Sequence, residues 1–124
     1  MRSAAVVERI RGLAHGSTVE ICGALLADSD GIIAAIPLNN QSREPATGFF
    51  IPAAEIARVE REAEQQGRIL AGFYHSHPDG TATPSTFDLD LAVPGYIYWI
   101  AGGEDVRAWR LREDRSGFDE VMIS

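Results

Sequence analysis

The sequence predicts a mixed α/β domain, in which a central and largely antiparallel sheet carries helices packed against it. Three observations support this fold class. Apolar residues recur at helical spacing in two stretches, short apolar runs alternate with turns rich in glycine and acidic residues, and two of those runs bracket an Asp-Ser-Asp-Gly turn. Of the 124 residues, 45% are hydrophobic and 23% charged, which suits one domain, 1–124, with a single core.

The first helix is predicted at residues 4–14, where four apolar side chains recur at helical spacing opposite three charged ones. Gly16 marks its end. The apolar runs 19–27 and 32–38 lie on either side of a short turn, which predicts the two strands of a hairpin.

The middle of the chain predicts a strand, a helix and another strand. The run Gly-Phe-Phe-Ile at 48–51 contains aromatic and β-branched residues, which favours a third strand. Residues 53–66 follow a proline, repeat apolar side chains at helical spacing and stop before a glycine, so we expect a second helix there. The apolar run 68–77 predicts the next strand, which a proline ends.

After a turn-rich stretch, the C-terminal part predicts a short helix and three strands. The pattern Ser-x-x-Asp ahead of apolar residues starts the helix, which we place at 85–93. The strands are expected at 96–101, 106–112 and 118–123, with turns of glycine and acidic residues between them.

Charge and composition argue against several classes of partner. The formal net charge is −7 and the pI is near 4.8, so neither nucleic acid nor an anionic membrane surface is expected as a partner, since both attract basic patches. No apolar run approaches the ~20 residues that span a bilayer, and charges interrupt the N-terminal stretch that a signal peptide would keep apolar. Cys22 is the sole cysteine, which precludes an intramolecular disulfide and is compatible with the cytoplasm. We therefore expect a cytoplasmic protein.

One stretch of the chain holds side chains suited to a metal site, HSHPDGTATPSTFD. Side chains alternate along a strand, so His75 and His77 point the same way. On the first turn of a helix, residues three apart share a face, so Ser85 and Asp88 address one point. Asp90 projects elsewhere, which makes Asp88 the better candidate for a metal ligand.

Simpler interpretations of these residues stay open at this point. A single histidine is commonly a hydrogen-bonded polar residue at the end of a strand, although a pair on one face is less well explained in this way. Ser85 and Asp88 also form a helix-capping pattern, in which the acid at the third helical position suits the helix dipole. Capping and metal binding are compatible roles.

Two imidazoles and one carboxylate would leave a tetrahedral Zn²⁺ with its fourth position open, which is typical of catalytic rather than structural zinc sites. Zinc in such a site lowers the pKa of a bound water to about 7. Hydrolysis also needs a general base. Glu20 is the candidate, because it opens an apolar strand where carboxylates are uncommon without a partner. A charge at the edge of a strand is the alternative explanation.

Together these residues resemble a known family pattern. The strand Glu-x-Cys-Gly-x-Leu that starts at Glu20, the segment GFYHSHP and the following Pro-Ser-x-x-Asp closely resemble the JAMM motif of the MPN-domain zinc metalloproteases. The resemblance covers most of the chain and implies the cytidine-deaminase-like α/β fold of that family. The deaminases themselves are disfavoured, because their zinc site needs a Pro-Cys-x-x-Cys pair and this chain has one cysteine.

The resemblance implies roles for five residues. His75, His77 and Asp88 would bind one zinc ion per chain. Glu20 would act as the general acid/base and Ser85 would stabilise the oxyanion. The compact prokaryotic members act on small sulfur-carrier proteins of ubiquitin-like fold, which implies hydrolysis of a peptide or amide bond at the Gly-Gly tail of such a protein.

Two alternatives accompany this hypothesis. Some MPN domains have lost the metal site and serve as scaffolds or binding modules, whereas all five motif positions are present here. The other alternative is a general hydrolase of small peptides or amides that has no protein substrate.

Overall fold

The computed structural model describes residues 3–123 and confirms the predicted mixed α/β class. Six strands form one sheet, and helices pack on both of its faces. In chain order the elements are α1 (Ala4–Ala14), β1 (Cys22–Asp28), β2 (Gly31–Leu38), α2 (Ala53–Gln65), β3 (Ile69–Ser76), α3 (Thr86–Leu91), β4 (Ile97–Gly102), β5 (Asp105–Leu111) and β6 (Phe118–Val121). Within residues 3–123, none of the helices has the length and apolar character needed to cross a membrane.

The sheet has the order β2-β1-β3-β4-β5-β6 and is mostly antiparallel, as predicted. Only the central pair, β3 and β4, runs parallel among the strands of the described residues. Parallel strands need a crossover connection, and here that connection contains α3. The strand with the two histidines therefore lies in the middle of the sheet, and the helix with the motif aspartate follows it directly.

The two helices of the N-terminal half cover opposite faces of the sheet, which explains their amphipathic patterns. The buried side of α1 carries Val6 and Ile10 and belongs to a cluster with Tyr74 and Trp99. The buried side of α2 belongs to a second cluster, which includes Phe73. Burying an aliphatic side chain such as that of Ile10 contributes about 1.5–3 kcal/mol, so packing on the sheet holds these helices in place.

The third strand predicted at 48–51 is wrong. This segment forms no ladder with the sheet. The side chain of Asn40 instead binds the carbonyl of Gly48 and the N–H of Phe50. The apolar side chains are still used, because Ile51 is buried in the α2 cluster and Phe49 packs against it. An apolar run can thus reach the core without strand pairing.

The other predicted elements are present; α1 has the predicted bounds, and the ends of the others differ from the prediction by at most three residues. The largest difference concerns the predicted strand 19–27, since β1 begins only at Cys22. Residues 20 and 21 precede the strand and have hydrogen bonds of their own. This difference matters because Glu20 lies in that short extension.

Candidate metal centre

The two histidines lie at the end of the central strand and face each other. His75 occupies β3 opposite Cys22 of β1 and Ile100 of β4, so neighbouring strands hold its backbone on both sides. His77 follows the strand, and its N–H donates to the carbonyl of Ala101 over 2.8 Å. Both side chains are buried, and their Nε2 atoms lie 3.2 Å apart. The predicted arrangement on one face is therefore present.

Asp88 approaches both histidines from α3. Its Oδ1 lies 3.1 Å from Nε2 of His75, and its Oδ2 lies 3.1 Å from Nε2 of His77. The carboxylate is held by a capping box, in which Asp88 Oδ2 accepts from the N–H of Ser85 and the Asp88 N–H donates to Ser85 Oγ. One carboxylate thus both caps the helix and faces the two imidazoles.

Glu20 completes the cluster from the segment before β1. It is 4% exposed, and one oxygen lies within 4.8 Å of a ring nitrogen of each histidine. Burial, with smaller effects from nearby charges, raises the pKa of Glu20 from 4.5 to about 7. A carboxyl with a pKa near neutrality can both accept and release a proton at physiological pH.

The donor set fits a zinc ion. Two imidazole nitrogens and two carboxylates converge in a buried space, which is the ligand chemistry that Zn²⁺ prefers. Oε1 of Glu20 has no hydrogen-bond partner within residues 3–123, and Oδ1 of Asp88 has only the ring nitrogen of His75 beside it. Unsatisfied buried oxygens are costly, and a cation between the imidazoles would satisfy them. His75 and His77 would bind it, together with Asp88 or Glu20.

The electrostatics of the ligands also suit a cation. Burial lowers the pKa of His75, which favours its neutral imidazole. Burial alone would raise the pKa of Asp88, but hydrogen bonds from both histidines hold it well below its usual range. For His77, burial lowers the pKa but the contact with Asp88 outweighs it, so the net direction is upward and a metal would displace the proton that this shift favours. A neutral imidazole beside an ionised carboxylate is the form that binds a metal.

The remaining motif residues have distinct surroundings. Ser85 is exposed and lines an open cleft of about 250 Å³ together with Glu20 and His77. Asp90 is exposed on the other side of α3, as expected from its spacing. Ser76 is buried, and its Oγ accepts from the N–H of Ile21 over 2.9 Å. It therefore ties the start of β1 to the end of β3.

Sequence reasoning missed the residues that orient the imidazoles. The ring of Phe49 stacks on His75, with centroids 4.5 Å apart and an angle of 24° between the planes. Nδ1 of His77 lies 3.0 Å from the carbonyl of Thr81, so an N–H at Nδ1 donates to that oxygen and leaves Nε2 free for a metal. The sequence gives no signal that Phe49 contacts a histidine, because an apolar run predicts only burial. The contact with Thr81 leaves no signal either, because every residue has a backbone carbonyl.

The carbonyl of Thr81 is held in place by the sheet. A Cβ on Gly102 would lie 2.2 Å from the carbonyl carbon and oxygen of Thr81, so only glycine allows this approach. The indole N–H of Trp109 donates to the carbonyl of Ala82 over 2.9 Å. Both residues fix the loop that orients His77.

We expect Gly102→Ala to weaken zinc binding by about 10- to 100-fold, the usual effect of disturbing a group that orients a metal ligand. The added methyl must displace the Thr81 backbone and with it the hydrogen bond to His77. Competition with a chromogenic chelator measures the affinity. Gly12→Ala is the matched control, because a Cβ there meets nothing within 4 Å. Equal affinities for the two variants would show that the loop does not orient the histidine.

The raised pKa of Glu20 predicts a pH-dependent stability of the metal-free protein. A carboxyl whose pKa rises on folding favours the folded state fully below pH 4.5, and this contribution disappears as pH rises through about 7. The difference between 4.5 and about 7 corresponds to about 3 kcal/mol as an upper value. We therefore expect the metal-free protein to lose stability between pH 5 and 8 relative to Glu20→Gln.

Urea denaturation of both metal-free proteins across this range measures the effect. Glu60→Gln, which removes an exposed acid on α2, should keep the pH dependence of the unchanged protein. If the free energy of unfolding differed between the unchanged protein and Glu20→Gln by the same amount at every pH, the pKa of the Glu20 carboxyl would be the same in the folded and unfolded states.

Comparison with known proteins places these features in a family context. A family model described as prokaryotic homologues of the JAB domain matches residues 3–112. A JAB1/MPN domain protein from Archaeoglobus fulgidus has the same fold, with a TM-score of 0.56, 22% sequence identity and coverage of 96% of this chain and 86% of that chain. The prediction of an MPN-type fold is therefore confirmed.

Two relatives of known name are similar in sequence. A desampylase from Haloferax volcanii is 37% identical over 92 residues, which are 72% of this chain and 66% of that protein. A probable TtuB-protein conjugate cleaving protease from Thermus thermophilus is 36% identical over 78 residues, which are 63% of this chain and 53% of that protein. The chain spans less than two thirds of the length of both relatives.

Proposed function

The chain belongs to the prokaryotic homologues of the JAB domain, and on this basis we propose that it is a JAMM-type zinc metallopeptidase. Its proposed reaction is hydrolysis of a peptide or amide bond at the C-terminal Gly-Gly tail of a ubiquitin-like or sulfur-carrier protein. The observation that carries the proposal is the convergence of two buried imidazoles and two buried carboxylates beside an open cleft.

The substrate class rests on the relatives and on the shape of the cleft. One relative is named a desampylase, and the other is named a probable protease that cleaves TtuB-protein conjugates. Small and hydroxylated side chains line much of the cleft, among them Ala46, Thr47, Thr81 and Thr83. A Gly-Gly tail is thin and extended, so a cleft lined by small side chains can accept it.

Exposed apolar surface on α3 and on the segment that follows the cleft residue Thr47 favours a protein substrate over a short peptide. Phe50, Leu91 and Val93 are each about half exposed and border an apolar groove of about 150 Å³. Phe87 extends this surface on α3, next to Asp88 in the chain. Contiguous exposed apolar side chains commonly mark protein contacts. In this proposal the folded part of the ubiquitin-like protein covers them while its tail enters the cleft.

The proposed mechanism assigns separate tasks to the residues of the cluster. Bound zinc would supply Lewis-acid chemistry, polarising the scissile carbonyl and making water more acidic. Glu20 would take a proton from the attacking water and deliver it to the leaving nitrogen, because one of its oxygens lies within 4.8 Å of a ring nitrogen of both histidines that would hold the ion. His75, His77 and Asp88 would hold the ion, and the open cleft would admit the tail.

Ser85 is proposed to stabilise the oxyanion that develops during attack. Its Oγ accepts a hydrogen bond from the N–H of Asp88, so the hydroxyl hydrogen remains free to donate. The residue is exposed and lies on the wall of the cleft with Glu20 and His77. The hydroxyl of Ser85 can therefore accept the capping hydrogen bond from Asp88 and at the same time donate to the oxyanion.

Cleavage of a defined substrate tests the proposal. The probe is a ubiquitin-like protein with its Gly-Gly tail fused to a short extension, and the comparison is an unrelated peptide of equal length. We expect the zinc-loaded protein to release the extension after Gly-Gly and to leave the peptide intact. One zinc per chain with equal cleavage of both would favour a general peptide hydrolase. Protein without zinc and without cleavage would favour a scaffold.

A further inference from the structure

The backbone of Glu20 is held by a loop rather than by the sheet. Its N–H donates to the carbonyl of Pro45 over 2.6 Å. Its carbonyl accepts from Nδ2 of Asn40 over 2.9 Å. Glu20 precedes β1 and takes no part in the strand pairing on either side. The loop of residues 40–50 thus holds both backbone groups of Glu20, while Ser76 at the end of β3 holds those of the next residue, Ile21.

Asn40 makes all the hydrogen bonds that a side-chain amide can make. Its Nδ2 donates to the carbonyls of Glu20 and Gly48, the latter over 3.0 Å. Its Oδ1 accepts from the N–H groups of Ser42 and Phe50 over 3.0 and 3.2 Å. Two donors and two acceptors are thus satisfied, which fixes the orientation of the amide. The half-buried side chain links the start of β1 to both ends of the loop.

The same loop reaches two other parts of the candidate centre. Phe49 stacks on His75. Ala46 and Thr47 line the cleft beside Glu20. Gly48 lies against Phe87 of α3, whose ring would be about 2.9 Å from an added Cβ. One short segment therefore contacts the proposed acid/base, one imidazole and the proposed path of the substrate.

We infer that Asn40 is a positioning residue, which sets the place of Glu20 relative to the metal ligands by linking its carbonyl to the 40–50 loop. This inference rests on the proposed function and deepens it. A displacement of the order of 1 Å in a reacting group can cost about 100-fold in rate. The motif residue Ser76 bonds only the neighbouring Ile21, whereas the hydrogen bonds described for the backbone of Glu20 itself come from the loop.

The test compares two substitutions at neighbouring asparagines. Asn40→Asp keeps an acceptor for Ser42 and Phe50 but removes both donors, so the bond to the Glu20 carbonyl is lost. Asn39→Asp adds the same charge at an exposed position and removes none of these bonds. We expect kcat on the Gly-Gly fusion protein to fall about 10- to 100-fold in Asn40→Asp and less than threefold in Asn39→Asp. Zinc content should stay at one per chain in both.

A double-mutant cycle separates positioning from general damage. If Asn40 acts through Glu20, adding Asn40→Asp to Glu20→Gln should cause no further loss of kcat. A further tenfold loss in the double variant would overturn the inference, and so would normal turnover in Asn40→Asp. The loss of zinc from Asn40→Asp would also overturn it, since the residue would then support the ligands.

Amide hydrogen exchange gives a readout that does not depend on the substrate. We expect exchange at the N–H of Glu20 to be at least about tenfold faster in Asn40→Asp than in Asn39→Asp, because its carbonyl link to the loop is gone. Unchanged exchange would contradict the inference whatever the activity. Failure of the unchanged protein to cleave the fusion would count against the proposed function, while the exchange result would still decide how Glu20 is held.

Discussion

Glu20→Gln should reduce kcat/KM on the Gly-Gly fusion protein by at least about 100-fold, while the protein retains one zinc per chain. Glutamine keeps the size and hydrogen-bonding capacity of the side chain but cannot carry a proton between water and the leaving nitrogen. The carboxyl of Glu20 is buried, and one of its oxygens lies within 4.8 Å of a ring nitrogen of each histidine, where such a proton transfer would take place. Steady-state kinetics and elemental analysis of the same preparation measure the two quantities.

Glu60→Gln is the control for this experiment, because it makes the same chemical change at an exposed acid on α2. It should leave both turnover and zinc content unchanged. Near-normal turnover in Glu20→Gln would assign the proton transfer to another group. Loss of zinc together with turnover would instead place Glu20 among the ligands.

Asp88→Asn should weaken zinc binding by more than about 100-fold, beyond the usual effect of losing a group that only orients a ligand, and should abolish turnover. The substitution removes the negative charge that lies 3.1 Å from Nε2 of each histidine. The asparagine oxygen can still accept from the N–H of Ser85, so the start of α3 is preserved better than with alanine. Chelator competition measures the affinity, and circular dichroism checks the fold.

Asp90→Asn makes the same change two residues away on the exposed side of α3 and should bind zinc normally. The pair of experiments also distinguishes two ligand sets. His75 and His77 are common to both, and the third ligand is either Asp88 or Glu20. Retention of zinc in Asp88→Asn with loss in Glu20→Gln would select Glu20, contrary to the assignment that the motif implies.

Local patterns in the sequence determined most of the fold. Helical spacing and strand-length apolar runs predicted the two long helices and the six strands, because each needs one apolar face toward a core. The strand predicted at 48–51 was wrong because an apolar run shows that side chains are buried, not that the backbone pairs with a strand. Ile51 is buried, but the side chain of Asn40 and the backbone N–H of Gln41 bind the backbone groups of Gly48 and Phe50 that a neighbouring strand would bind.

The candidate centre divides in a similar way. Alternation along a strand and the three-residue spacing of a helix start were enough to predict that His75 and His77 share a face and that Ser85 and Asp88 form a pair. These are short-range relations, and backbone geometry fixes them. The sequence thus determined the fold class, the family motif and the chemical types in the cluster.

Only the tertiary structure decided how these side chains are oriented and how burial shifts their pKa values. The burial that raises the pKa of Glu20, the stacking of Phe49 on His75 and the contact of His77 with Thr81 join residues that lie far apart in the chain or involve backbone atoms. Burial and orientation result from the packing of the whole chain, and neither leaves a local pattern. The spacing of His75, His77, Ser85 and Asp88 therefore suffices to suggest a metal centre. The geometry of that centre depends on the loop and strands that surround it.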